Sequence, residues 1–422
     1  MIYVPARMGQ LNRRALLRQL QKLGVASRAD LAKALGMSQP TAGKIVDELM
    51  EMDVLEEVAV PFAEAGERNG GDAAIIPLGR PGRRLRLNQS RAKFLAIQLG
   101  VKTTTVAGLT LGIADEDRWP VAFAVADAKP GPAKVWEKKL RAAARSFGTG
   151  DFLGVLVSCP GVVDETANRI LFSPNIHWTE KIDLAAIVGR VWNAPVLLVQ
   201  EERALALGHH LANPDCEDFL LVDFGEGVGG AIIVEGKPLA NPLPISGELG
   251  HTPVPGNRRQ CGCGAMGCME TLISLRGLLE SFSAAGAARE NAGWSGLGES
   301  ISRQGIQPWL AQALDAAAAA IAGALNVVGL RRVVITGSLT ELPPVVMDYL
   351  SRAVQNGAMW ARFGQVECIS APRRRTAGLV AVGIDRLVVP DQQENHFNFS
   401  KKFPSRAKNS RPDKIESAFA TP

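Results

Sequence analysis

The chain has 422 residues, a formal charge of +5, and hydrophobic and charged shares of 46% and 21%, proportions that exclude a mainly disordered protein and leave room for more than one folding unit. No uninterrupted run of about 18 apolar residues occurs, and the opening MIYVPARMGQLNRR lacks the apolar block and cleavage site of a secretory signal. A cytoplasmic protein is expected. The positive excess sits at the two ends. Residues 1–90 hold 13 Lys/Arg against 10 Asp/Glu, and residues 391–422 hold 6 against 4, a weak pointer to a polyanionic partner. Six cysteines are too few for a disulfide scaffold, and three of them crowd between Cys261 and Cys268, which points to metal.

Three helical patterns come first. Asn12 is placed to cap a helix with Leu16, Leu17, Leu20 and Leu23 on one face, and Gly24 to end it. Ser27 and Asp30 form a capping pair for a second helix carrying Leu31, Ala32 and Leu35, with Gly36 as its turn. Ser38 opens a third, whose Ala42, Ile45, Val46, Leu49 and Met52 face inward while Gln39, Thr41, Gly43 and Lys44 lie near its exposed start. Two short helices joined through a tight glycine turn predict a helix-turn-helix. The alternating VLEEVAV and RRLRLN then predict a β-hairpin wing with a long polar excursion between them, placing Arg80, Arg83 and Arg84 where a wing meets phosphates. A solvated hairpin with ordinary surface arginines is the competing reading.

From Phe94 onward strands alternate with helices, so the body is expected to be α/β. FLAIQLG with TTTVAGLTLG, and later FLLVDFG with GGAIIVEG, form two similar strand pairs, which predicts two similarly built lobes with a cleft between them. AQALDAAAAAIAGALNVVGL reads as a long helix. The chemistry concentrates in GELGHTPVPGNRRQCGCGAMGCME. His251, Cys261, Cys263 and Cys268 offer one imidazole and three thiolates, the tetrahedral set of a closed structural zinc site, one ion per chain. After Pro390 the sequence turns polar without an apolar period and reads as a disordered tail.

SGELGH followed by CGCGAMGCME, together with CPGVVD from Cys159, SPNIHW from Ser173 and GEGVGGA from Gly225, resembles the signature of the ROK family of repressors, open reading frames and kinases. The resemblance covers roughly residues 90–390. It implies a two-lobed, actin-like sugar-kinase fold and a zinc loop, and the N-terminal module is similar to the winged helix-turn-helix of the family's repressor branch. The expected organisation is residues 1–90 for DNA binding, 91–390 for the ligand-binding body and 391–422 for the tail. The resemblance further implies a sugar held by Asn175, Glu248, His251 and Glu270, with Glu201 as counterpart of the kinases' catalytic base, or Glu202 if the register shifts by one. Glu248 could instead brace the zinc loop, and Glu270 could cap the following helix.

Departures from the kinase pattern are equally informative. Where kinases carry Asp-x-Gly-Gly-Thr for phosphate and metal, this chain has Gln98 to Lys102. The second phosphate turn has Glu226 in place of threonine, and only a lone Gly337 stands where a double glycine meets adenosine. The expectation is therefore a regulator, a repressor of sugar metabolism acting on double-stranded operator DNA as a homodimer or dimer of dimers, with no catalytic activity. A sugar kinase with an appended DNA module, and a constitutive DNA-binding protein with a vestigial cleft, are its rivals.

Overall fold

The structure is a computed structural model that describes residues 5–58, 83–112, 118–124, 132–148, 152–240, 243–286 and 293–390. Arg80, most of the wing excursion and the 391–422 segment lie outside the described residues.

The N-terminal module holds α1 (Pro5–Leu23), β1 (Ala26–Ser27), α2 (Arg28–Ala34), α3 (Gln39–Glu51), β2 (Leu55–Val58) and β3 (Arg84–Leu87). The Ser27–Asp30 capping box forms as expected. The Ser38 hydroxyl likewise accepts from the Thr41 N–H at 3.3 Å. Asn12 caps nothing, because α1 begins seven residues earlier, at Pro5. Leu23 and Met52, expected on buried faces, are half exposed, each at a helix end where the apolar stripe has run off the core. The wing pairs antiparallel, Leu55 opposite Leu87, and β1 adds to its other edge.

The body begins with β4 (Phe94–Leu99), β5 (Thr103–Leu109), β6 (Val121–Ala124), α4 (Pro132–Phe147), β7 (Gly154–Cys159), β8 (Val162–Asp164), β9 (Arg169–Phe172), α5 (Leu184–Trp192) and β10 (Val196–Gln200). It continues through α6 (Glu201–Ala212), β11 (Phe219–Phe224), β12 (Val228–Val234), β13 (Lys237–Pro238), α7 (Glu270–Ile273), α8 (Leu275–Ala284) and α9 (Trp294–Gln304). The last elements are α10 (Pro308–Val328), β14 (Arg332–Gly337), α11 (Pro344–Gly357), β15 (Glu367–Ser370) and α12 (Arg375–Gly383), which ends in a π-helical turn over Ile384–Val388.

Two five-stranded sheets share one topology. The first has the order β10-β7-β4-β5-β6 and the second β13-β12-β11-β14-β15. In each, a three-stranded antiparallel meander is extended by two parallel strands. The echo between FLAIQLG and FLLVDFG is thus a true repeat of architecture. The long α10 is apolar and long enough by composition to cross a membrane, yet its Leu310, Leu314, Ala317, Ile321 and Leu325 are buried against the second sheet, where the 3.6-residue period puts them on one face.

Helices α6 and α12 cross at very close range. A Cβ on Gly378 would stand 1.7 Å from the Ala204 carbonyl oxygen, and one on Gly208 would stand 1.9 Å from that of Arg374. Only glycine permits such contact. The N-terminal module is fastened to the same region. Arg14 pairs with Asp385 at 3.2 Å and donates to the Val389 carbonyl at 3.1 Å, and Arg18 reaches Asp385 at 3.4 Å. Leu16, Leu17 and Leu20 of α1 join one apolar cluster with Leu379, Val388 and Val389 of the body. At the second junction the almost fully buried Lys93 ammonium is paired with Asp53, which also receives Arg91 at 2.7 Å. These cations hold the Asp53 carboxyl below its usual range.

Replacing Gly378 by Ala is expected to destabilise the protein by about 1–3 kcal/mol through overpacking, measured by urea unfolding. An unchanged midpoint would show that the two helices can part without cost.

Candidate functional site

The four sequence-predicted ligands converge. The ligand atoms of His251, Cys261, Cys263 and Cys268 all lie within 4.8 Å of one another. His251 Nδ1 is 3.6 Å from Cys261 Sγ, and Cys263 Sγ is 3.6 Å from Cys268 Sγ. The sulfur pair is too far apart for a disulfide bond of about 2.05 Å, while it is close to the edge of about 3.8 Å that a tetrahedron with metal–sulfur bonds of about 2.3 Å requires. Burial pushes the Cys268 thiol up to about 12, so a thiolate there calls for a cation beside it. Gly264 and Gly267 supply the positive φ angles of 93° and 81° that fold the loop onto itself. Two residues that sequence reasoning passed over tie this loop to the second lobe. Arg259 donates to the Thr271 and Gly277 carbonyls at 2.7 and 3.2 Å and to the Ser281 hydroxyl at 2.9 Å, and Asn257 donates to the Cys268 carbonyl at 3.1 Å. The arginine pair in GNRRQC was the available signal.

Through its other face the same loop opens on the cleft between the lobes, where His251 Nε2 lies 3.6 Å from a Glu248 carboxylate oxygen. Burial and the nearby Glu270 raise the Glu248 carboxyl to about 7. Glu270 stands at the start of α7, but its Oε2 turns away from that helix and accepts the Val228 N–H at 2.8 Å. A Cβ on Gly227 would stand 3.0 Å from Glu270 Oε2 and 3.5 Å from Asn175 Nδ2, so this glycine keeps the approach open. The Asn175 loop is braced by Glu180, which accepts from the Ser173 N–H at 2.9 Å, and by the Ser173 hydroxyl on the Pro160 carbonyl at 3.3 Å. Asn175, Glu201, Glu248, His251 and Glu270 therefore line one cavity of about 160 Å³.

The same cavity is also lined with ion pairs. Arg373, which the sequence reading did not single out, grips Asp223 with two contacts of 2.7 and 2.8 Å. Its Nη2 lies 2.6 and 2.7 Å from where Cβ atoms on Gly225 and Gly337 would stand. Arg375 pairs with Glu201. Across the cleft, Lys102 meets Glu226 at 2.8 Å. Gln98 accepts the Thr105 hydroxyl at 3.2 Å. The run RRRTAGLVAVG, three arginines entering an apolar helix, was the signal for these residues, since a buried arginine needs a carboxylate.

In the N-terminal module Gln39, Thr41 and Lys44 are exposed along the start of α3, and Arg84 is exposed on β3. Arg83 is exposed too, but it already contacts the Glu57 carboxylate at 2.9 Å across the hairpin.

Fold and cleft together define a winged helix-turn-helix joined to a two-lobed, sugar-kinase-like body. The ROK family model matches residues 136–384, and a winged helix-turn-helix DNA-binding model matches residues 11–56. The chain belongs to the ROK family. Among its relatives are the xylose repressor of Caldicellulosiruptor bescii, 24% identical over 286 residues, and the DNA-binding transcriptional dual regulator NagC of Escherichia coli K12, 24% identical over 267 residues. The matches cover 64% and 63% of this chain and span 65% and 63% of those relatives. Similar solved structures include a ROK family transcriptional regulator, a homologue of the E. coli MLC protein, with a TM-score of 0.70 and 20% identity, covering 91% of this chain and 98% of that one. A ROK family glucokinase from Streptomyces griseus, solved with glucose and AMPPNP, has a TM-score of 0.55 and 22% identity, covering 69% of this chain and 97% of that one.

Substituting Met for Arg375 leaves Glu201 without its partner in a buried setting and is expected to cost about 3 kcal/mol in urea unfolding. The double change Arg375→Met with Glu201→Gln should recover most of that loss. Equal losses in the single and double variants would show that the pair does not act as a unit.

Proposed function

We propose that the chain is a DNA-binding transcriptional repressor that responds to a sugar or sugar derivative bound in the cleft. One observation carries this reading: the residues expected to meet the sugar converge on one cavity, and the acids and cations expected to meet nucleotide there are already joined in internal ion pairs. A kinase catalyses phosphoryl transfer mainly by positioning the phosphates and their metal ions, and here Arg373, Glu226 and Lys102 stand in that space. Repressors among the relatives, and a winged module with an exposed recognition face, support the same conclusion. The kinase reading keeps Glu201, or Glu202 in the shifted register, as a base candidate, and the Glu201 carboxylate is engaged by Arg375.

In this reading Asn175, Glu248, His251 and Glu270 hold the sugar hydroxyls, since carboxylates and an amide match a ring that both donates and accepts hydrogen bonds. One zinc per chain, on His251 and the three cysteines, would fix the loop that carries Glu248 and Glu270 and supply no chemistry of its own. Residues 1–90 bind operator DNA, residues 91–390 bind the ligand, and the protein works in the cytoplasm as a homodimer or dimer of dimers. Closure of the lobes on ligand changes the spacing of the two recognition helices, so that they no longer match successive major grooves.

Purified without chelator, the protein should carry close to one equivalent of zinc, and the joint change Cys261→Ser with Cys263→Ser should abolish it. Retention of full zinc by that variant would reject the ligand set.

Labelled-operator titrations test the DNA side. Arg84→Ala should weaken binding to all sequences and lower the salt slope by about one unit, whereas Gln39→Ala should reduce operator discrimination by about 1–3 kcal/mol. Glu248→Gln should keep operator binding while losing release by sugar. A Glu248→Gln variant that releases DNA at the parental sugar concentration would remove Glu248 from the sensing site, and turnover of ATP with a common sugar at about 1 per second or faster would restore the kinase reading.

A further inference from the structure

The fixed charges of the cleft are unevenly matched. Glu201, Glu202, Asp223, Glu226, Glu248 and Glu270 all line it. Three cations answer them: Arg375 on Glu201, Arg373 on Asp223 and Lys102 on Glu226. Glu202 has no such partner among the described residues. Its carboxylate packs against β12, 2.5 Å from where a Cβ on Gly229 would stand, and is held by its own backbone N–H in the first turn of α6. Burial first, and then the charges of Glu201, Glu248 and Asp223, push its carboxyl well above the usual range. It lines the same cavity as Glu248, Asp223 and Arg373.

An anionic group on a ligand would need donors, and those at hand are already used. Glycine-rich turns bind phosphate through backbone N–H groups aimed at it. Here the Gly225 N–H donates to the Gly227 carbonyl at 2.9 Å and the Gly100 N–H donates to the Thr103 carbonyl at 3.1 Å. Recruiting Arg373 to a phosphate would strip Asp223, whose side chain is 9% exposed, of its counter-charge and leave a buried carboxylate unpaired. Recruiting Lys102 would free Glu226 to face the same phosphate. A neutral hydroxyl meets none of these costs, because a carboxylate, protonated or not, can serve as its hydrogen-bond partner.

We propose that the cleft selects a sugar carrying no phosphate or carboxylate group, and that Glu226, by holding Lys102, is the residue that enforces this selection. The inference rests on the sugar-site reading above and narrows it from sugars and their derivatives to uncharged ones.

Calorimetric titration of the full-length protein with glucose, mannose, xylose and N-acetylglucosamine, each beside its phosphate ester, tests it. The neutral sugar that binds should do so about tenfold more tightly than its ester, because the ester must enter a cleft of carboxylates whose cations are already engaged. Glu226→Thr, which removes a carboxylate and frees Lys102, should shrink the gap by roughly threefold to tenfold. Glu226 is partly exposed, so this variant is expected to fold. A phosphate ester that binds as tightly as its parent sugar overturns the inference and leaves the sugar site standing. A gap that persists undiminished in Glu226→Thr overturns the assignment to Glu226. If no sugar of either kind binds while operator binding is intact, the sugar-site reading falls and this inference with it.

Discussion

The close crossing of α6 and α12 is the contact on which the rest of the molecule depends. It exists because Gly208 and Gly378 lack side chains, which lets backbone meet backbone. Both helices begin in the cleft. Glu201 and Glu202 open α6, while Arg375 opens α12 and Arg373 lies just before it. Two elements that belong to different parts of the sequence are thereby locked into one unit, and the charges at their starts are set opposite each other. The Arg375–Glu201 ion pair follows from that placement.

Those pairs show how a cleft of this fold can meet its charges internally. Phosphoryl transfer asks a protein to leave cationic and N–H groups unsatisfied until substrate arrives. Here Arg373 is satisfied by Asp223, Lys102 by Glu226, and the Gly225 and Gly100 amides by the Gly227 and Thr103 carbonyls. Asn175, Glu248 and Glu270 border the same cavity.

Much of this was legible in the sequence. The helix caps at Ser27 and Ser38, the repeated strand pairs and the His251, Cys261, Cys263 and Cys268 cluster each depend on residues a few positions apart, where local rules apply. The start of α1 was misread for the opposite reason: Asn12 has the chemistry of a cap, yet the helix continues through it because Leu16, Leu17 and Leu20 dock on the body, and tertiary packing overrode the local preference. Asp223 and Arg373 are 150 residues apart, and nothing in their neighbourhoods announces that they meet. Lys93 was not singled out in the sequence, although it is almost wholly buried at the junction of module and body, because burial of a single charged residue leaves no periodic trace.

The attachment of α1 to the π-helical turn after α12 has a mechanical consequence. From Arg375 to Val388 the chain runs continuously helical, a rod of about 20 Å at about 1.5 Å per residue. One end carries the guanidinium that grips Glu201, and the other carries Asp385, the anchor for Arg14 and Arg18. A tilt of about 5° at the cleft end displaces the far end by roughly 2 Å, the scale of the interface shifts that separate alternative states of other switching proteins. The winged module has no slack with which to absorb such a tilt, because its leucines share the body's own apolar cluster. A tilt of this rod would therefore carry the module with it.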